Sequence, residues 1–200
     1  MILGAPAFAL VLLVMGHLAL GSALAERRIQ QLTASVFGTG LLGALSLAAS
    51  FAWSSPSDRH IVVRLGSLLS LRGYHFDLEL ELTPLTLTFL VLTFALSALV
   101  GAYSARYLHR DPGFFRFYLL LVVFTLGMEL IVTARSLTLL FAGWELVGLT
   151  SALLIAFYYR RLGPTRHGLR AYATYRATDV GLLLAVAILE HAAHSADFDR

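Results

Sequence analysis

The chain has 200 residues, 58% of them hydrophobic and 14% charged, with a mean hydropathy of +0.77 and a formal net charge of +3. Soluble domains carry about 25% charged residues, so this composition excludes an ordinary water-soluble fold and points to a bilayer. Cysteine is absent, and all 15 basic residues are arginine, none lysine. That removes disulfides, thiolate metal sites and cysteine nucleophiles, and with them Schiff-base, P-loop and proton-carrying lysines. The arginines lie between apolar runs, a spacing that suits lipid headgroups and not a nucleic-acid face.

At roughly 20 residues per spanning helix, six apolar runs are expected to cross the membrane. The first runs from Pro6 to Ala25. No basic residue precedes it and it is longer than the apolar core of a cleaved signal, so it is expected to be retained as a helix. The second runs from Ile29 to Trp53, after the polar Glu26-Arg27-Arg28. The third extends from Pro84 to about Arg106, the fourth from Phe114 to Ala134, the fifth from Ser136 to Tyr159 and the sixth from Gly168 to about Glu190. Pro6, Pro56, Pro84, Pro112 and Pro164 fall in connections or at helix starts, where a missing N–H does no harm.

The segment from Ser54 to Thr83 differs in character. Gly66–Leu71 and Tyr74–Leu82 flank an Arg72-Gly73 turn, and the second stretch alternates strictly as Phe76, Asp77, Leu78, Glu79, Leu80, Glu81, Leu82. A period of two predicts a half-buried β-hairpin at the membrane surface. The expected fold class is therefore all-α, a polytopic membrane protein of about six transmembrane helices with a small surface β-hairpin between helices 2 and 3. Its parts are residues 1–53 (helices 1 and 2), 54–83 (the outer-surface hairpin) and 84–200 (helices 3 to 6).

Arginine placement sets the expected orientation. Arg27 and Arg28, then Arg106, Arg110 and Arg116, then Arg160, Arg161 and Arg166 follow helices 1, 3 and 5. The other side has Arg135 in a short connection, Arg200 at the end, and Arg59, Arg64 and Arg72 spread through the hairpin region. The positive-inside bias then makes the connections after helices 1, 3 and 5 cytoplasmic, with the N-terminus outside, in the cell inner (plasma) membrane.

A charged side chain at mid-membrane costs at least about 2.5 to 3.5 kcal/mol, so ionisable residues within the spans are the informative ones. Glu145 sits roughly 14 Å into the fifth span at the 1.5 Å helical rise. Arg176 and Asp179 share one face of the sixth, where their i, i+3 spacing lets them neutralise each other. Glu129 lies late in the fourth span, nearer the outer surface. These groups read either as a proton or cation relay, or as ion pairs and protonated carboxyls that strut helices together. Glu145 fits the relay; Arg176 with Asp179 fits both; Glu129, close to a helix end, fits the strut.

Other candidates are weaker. His17 has no second ligand at metal spacing and reads as a packing histidine. His191 and His194, with Asp197 beyond, have metal-like spacing, but they lie where the sixth helix leaves the bilayer, as a solvated helix end would. Tyr103, Tyr107, Tyr158, Tyr159 and Trp53 form an interfacial aromatic belt. Gly143 and Gly148 bracket Glu145 and would let a neighbouring helix approach it. No phosphate loop, Ser/His/Asp arrangement or HExxH pattern occurs, so neither a catalytic site nor a metal or cofactor site is expected in this chain.

The run FFRFYLLLVVFTLGMELIVTARSLTLLFAGWELVGLTSALLIAFYY, followed by RAYATYRATDVGLLL, resembles the antiporter-like proton-channel subunits of respiratory complex I, subunit L or chain 5. It is similar also to the large subunits of Mrp-type cation/proton antiporters. The resemblance runs from about Leu82 to Arg200 and takes in AYSARYLHRDPGFFRF; before Leu82 it is confined to the pattern of two helices and a hairpin. The GWE-x-VGL run with an Arg-x-x-Asp on the next helix carries it most specifically. It implies that Glu145 is the mid-membrane carboxylate of helix 5, and that Arg176 and Asp179 belong to the same buried polar network. Glu129 has no counterpart, and Arg135-Ser136 stands where the family has a polar Asp-Asn-like pair.

The resemblance further implies a proton-translocating membrane subunit of an NADH:quinone oxidoreductase-like complex. A cation/proton antiporter, an inorganic-carbon uptake complex and a non-conducting structural fragment are the other readings it admits. Quinone and NADH, where used, are expected in partner subunits. Family members are far longer, and their helix 7 carries a lysine facing the helix 5 glutamate. The partners implied are thus other membrane subunits, the lipid bilayer, and a second polypeptide or a further C-terminal part supplying that lysine; nucleic acid is not among them.

Overall fold

The computed structural model describes residues 4–20, 26–53, 59–71 and 74–193. Six helices and one hairpin follow in chain order: α1 Ala5–Leu20, α2 Glu26–Trp53, β1 Ile61–Leu71, β2 Tyr74–Leu82, α3 Pro84–Tyr107, α4 Phe114–Thr133, α5 Leu137–Ile155 and α6 Leu162–Ala193. Helices α2 to α5 are each long and apolar enough to cross a bilayer. Helix α1 is 16 residues long and apolar apart from His17. The protein is a membrane-embedded helical bundle with a small two-stranded sheet.

Helix α5 ends at Ile155 and not Tyr159, and α2 begins at Glu26 and not Ile29; two larger differences from the sequence expectation each have a local reason. Helix α6 starts at Leu162 and not Gly168, because Pro164 sits in its first turn, where no N–H donor is needed. The polar stretch before Gly168 is helical although it is not apolar. Strand β1 starts at Ile61 and not Gly66, pairing Ile61 with Leu82 and Arg64 with Glu79. Register shifts between Arg64 and Gly66 and between Ser67 and Leu69 break its alternation, and Gly66 takes a φ of +131°, open to glycine alone at little strain. Strand β2 has no such break and keeps its period of two. The expected Arg72-Gly73 turn lies outside the described residues.

Helix starts next to the hairpin are capped by side chains. Thr83 and Thr86 form a reciprocal capping box at α3, with Pro84 in the first position. The Ser136 hydroxyl accepts from the Leu139 N–H at 3.3 Å to cap α5, satisfying donors that a helix start otherwise leaves open.

Small residues set the helix spacing. A Cβ on Gly40 of α2 would collide with the Phe94 ring of α3, which is fully buried. Between α4 and α5, a Cβ on Gly143 would lie 2.8 Å from the Gly127 carbonyl oxygen, and one on Gly127 3.1 Å from the Gly143 carbonyl oxygen. Backbones meet there with no side chain between them, as in small-residue membrane packing. Leu85, Phe89, Leu92, Leu96 and Leu99 stay exposed along one side of α3, an apolar face suited to lipid.

Polar contacts sort the connections into two ends. At one end, Glu26 bonds the His109 ring at 2.8 Å and accepts the Arg110 N–H at 3.0 Å. There too, Arg116 donates to the Phe157 carbonyl at 2.6 Å. The start of α2 and the connection after α3 therefore lie at the same end as the connection after α5. At the other end, Leu80 of β2 forms a β-bridge with Ala134, and Arg135 pairs with Glu79 at 2.5 Å. Leu80 and Leu82 are buried, while Glu79 also meets Arg64 at 2.7 Å and Glu81 meets His60 at 2.9 Å. The alternation read in the sequence is this division between a buried leucine face and a charged face.

An ion triad between α5 and α6

Two glycines bring α6 onto α5. A Cβ on Gly168 would lie 2.8 Å from the Ala152 carbonyl oxygen, and one on Gly148 2.6 Å from the Tyr175 ring. Of the pair expected to admit a neighbour beside Glu145, Gly148 thus receives α6 and Gly143 receives α4.

That close approach puts Arg176 against Glu145. Nη1 of Arg176 pairs with Oε2 of Glu145 and lies 3.7 Å from Oδ2 of Asp179. Its Nε donates to the Tyr172 hydroxyl at 3.0 Å, and the guanidinium carbon lies 5.1 Å from the centre of that ring. Asp179 is buried, and its Oδ1 accepts the Trp144 indole N–H at 2.9 Å. The Trp144 ring packs on Tyr175 with centroids 5.7 Å apart. Glu145, Leu149, Tyr172, Arg176 and Asp179 line a narrow crevice between the two helices.

The sequence expectation was mutual neutralisation of Arg176 and Asp179. The tighter ion pair runs instead between helices, from Arg176 to Glu145. One guanidinium faces two carboxylates, so the ionised set carries one excess negative charge. Oε1 of Glu145 is buried and has no hydrogen-bond partner among the described residues.

Glu129 does not join this group. It is 1% exposed, with neither carboxyl oxygen hydrogen-bonded among the described residues. Trp144, Tyr172 and Tyr175 were not singled out from sequence. Tyr172 could have been, since it stands one helical turn before Arg176; Trp144 shows its role only once α6 is docked. Trp53, Tyr103, Tyr107 and Tyr159 are exposed near helix ends, as a belt requires. The His17 and His191 side chains, and His194 and Asp197 altogether, lie outside the described residues. Among the described residues no group of three His, Cys, Asp or Glu could hold a metal ion.

Apolar helices of spanning length with an ion triad set between two of them define a polytopic membrane protein with charged residues inside its helical segments. Residues 68–118 match the family model for the N-terminus of NADH-ubiquinone oxidoreductase (complex I) chain 5. Residues 134–200 match that for the transmembrane region of NADH:quinone oxidoreductases and Mrp antiporters. The chain belongs to this antiporter-like subunit family. It is 31% identical over 186 residues to NADH-quinone oxidoreductase subunit L of Rickettsia bellii, covering 90% of this chain and 28% of that protein. It is 37% identical over 136 residues to NADH-ubiquinone oxidoreductase chain 5 of Chondrus crispus, covering 68% of this chain and 20% of that one.

The fold is similar to a chain of an archaeal membrane-bound sulfane sulfur reductase, with a TM-score of 0.74 at 14% identity, covering 98% of this chain and 37% of that one. It is similar also to a chain of the Mrp complex from Dietzia, with a TM-score of 0.66 at 25% identity, covering 100% and 20%. The chain therefore spans about a fifth to a little over a quarter of the curated relatives it matches. Glu145, Arg176 and Asp179 all fall within the second matched segment, and Glu129 falls between the two.

Proposed function

We propose that the chain forms the first part of a proton-translocating membrane subunit of an NADH:quinone oxidoreductase-like complex, with Glu145, Arg176 and Asp179 as its proton-transfer residues. The observation that carries this reading is the asymmetry of Glu145: one oxygen is held by Arg176, while the other is buried and unpartnered. Such a carboxyl has two defined states, ionised and paired, or protonated and released.

The step follows from charge. A proton arriving at Oε1 makes Glu145 neutral and weakens its hold on Arg176. The guanidinium then shifts its attraction to Asp179, 3.7 Å away. Arginine keeps its own proton throughout, so it acts as a movable charge and not as a carrier. When Arg176 returns to Glu145, the carboxyl proton is expelled. Coulomb coupling at these separations in low dielectric is strong enough to drive the exchange.

In this reading residues 1–53 and 84–200 lie in the inner membrane and the 54–83 hairpin faces outward. The arginine-rich connections after α1, α3 and α5 then face the cytoplasm, as the positive-inside bias requires. Quinone and NADH chemistry belongs to partner subunits, and a lysine-bearing seventh helix is contributed by polypeptide beyond these residues. The test is proton uptake by vesicles containing the full complex. Glu145→Gln should abolish uptake while assembly stays intact; wild-type uptake in that variant, or a sodium gradient in place of a proton gradient, would overturn the proposal.

A further inference from the structure

We infer that Glu129 is a second proton-binding site, a neutral carboxyl set in a polar seam between α3 and α4 and separate from the Glu145 centre. The seam is built from residues spaced a turn apart on facing, antiparallel helices. The Tyr118 hydroxyl donates to the Gly101 carbonyl at 2.6 Å, and Ser97 and Thr125 bond each other at 2.8 Å. One turn back from Ser97 is Thr93, and one turn on from Thr125 is Glu129, which brings those two to about the same level. Thr125, Glu129 and Thr133 are fully buried, and Thr93 and Ser97 nearly so. Glu129 and Thr125 share the face of α4 that turns away from the Gly127 contact with α5.

The hydroxyls of Tyr118, Ser97, Thr125 and Thr133 are already committed. Thr125 donates its one hydrogen to the Leu121 carbonyl at 2.8 Å, so Ser97 is the donor in their mutual bond. Thr133 donates to the backbone carbonyl of Glu129 itself at 2.8 Å. No described donor is aimed at the Glu129 carboxyl.

Charged groups on the surrounding elements do not serve it either. The elements packed on α4 are α1, α2, α3, α5 and β2. Glu26, Arg27 and Arg28 of α2, Arg106 of α3 and Arg116 of α4 stand at the opposite end of the bundle. Glu145 of α5 is taken by Arg176, and Glu79 and Glu81 of β2 by Arg64, Arg135 and His60. His17 of α1 is placed toward that opposite end, with its side chain outside the described residues. Burial with no hydrogen-bond donor and no ion-pair partner among the described residues disfavours the carboxylate against the acid. Glu129 lies one turn from the end of α4, beneath the Leu80–Ala134 bridge, so its proton exchanges with water from the hairpin side. The site stands independently of the Glu145 proposal.

Infrared spectroscopy of the full complex in lipid at neutral pH tests it. The spectrum of wild type minus Glu129→Gln should contain the C=O stretch of a protonated carboxyl, at the position of an acid with few hydrogen bonds and shifted in D2O. Loss of carboxylate bands instead, or no acid band in the difference, would overturn the inference. Should Glu129→Gln fail to assemble, Glu129→Asp must displace that acid band, and an undisplaced band would overturn it equally. Raising sodium at fixed pH should leave the band unchanged; its disappearance would assign a cation site and overturn the proton assignment.

Discussion

The indole N–H of Trp144 is the nearest partner of Asp179, at 2.9 Å, against 3.7 Å for the guanidinium of Arg176. An uncharged donor thus satisfies one carboxylate of the triad and leaves the cation free for the other. Trp144→Phe keeps an aromatic ring against Tyr175 and removes that donor. A hydrogen bond to a charged group is worth about 1.5–3 kcal/mol, so Asp179 should draw Arg176 away from Glu145 and slow proton transfer about tenfold. Proton flux in vesicles measures this; unchanged flux at wild-type assembly would count against the arrangement.

The glycine contacts separate stability from transport. A Cβ on Gly143 meets backbone atoms, Gly127 O and Ile131 N, both at 2.8 Å. Backbone yields poorly, and Gly143→Ala should destabilise by about 1–3 kcal/mol. Gly148→Ala meets the side chain of Tyr175, which can swing aside, so its main effect should fall on the adjacent Arg176 and hence on flux. Nothing lies within 4 Å of a Cβ on Gly181, and Gly181→Ala should be neutral in both. Thermal unfolding in lipid, set beside flux, distinguishes the three variants.

The hairpin is pinned mainly by Glu79. Its carboxylate meets both Arg135 and Arg64, while Glu81 meets only His60, whose side chain is half exposed. Exposed pairs contribute about 0.2–1 kcal/mol, so Glu81→Gln should change little. Glu79→Gln removes two partners at once, including the link to the α4–α5 connection, and should make residues 59–82 markedly more sensitive to limited proteolysis. Equal digestion of the two variants would disprove this anchoring.

Neighbouring tyrosines at the arginine-rich end titrate apart. Hydrogen bonding from Arg160, reinforced by Arg116, holds the Tyr159 phenol below its ordinary value of 10.0. Desolvation, with the nearby Tyr107 and Asp111, pushes Tyr158 above it. Both are neutral at pH 7, so neither affects stability there; on alkaline titration the phenolate of Tyr159 forms first. Ultraviolet titration should show an early step that Tyr159→Phe removes and Arg160→Gln moves to higher pH.

Much of this architecture was legible in the residues because a bilayer allows few alternatives. Long apolar runs must be helical, and the Leu78-Glu79-Leu80-Glu81-Leu82 alternation could only be a one-sided strand. Mid-span charge likewise exposed Glu145, Arg176 and Asp179. The extra turns of α6 and the front half of β1 were hidden, the first by polar residues in a helix and the second by bulges that scramble its period. The pairing pattern was hidden too. Spacing along one helix favoured Arg176 with Asp179, whereas the preference for Glu145 depends on Gly148 and Gly168 bringing α6 close, which no single-helix periodicity reveals. Glu129 was visible as a charge, but that its carboxyl oxygens find no hydrogen-bond partner among the described residues is a property of the packed α3–α4 seam.

The central claim is that Glu145 and Arg176 act as one unit, and the proton flux of the assembled complex carrying Arg176→Gln tests it most directly. Residues that act together lose function together. Arg176→Gln should lose proton flux as completely as Glu145→Gln, although Glu145 itself is intact. Flux retained in assembled Arg176→Gln complex while Glu145→Gln has none would contradict the claim.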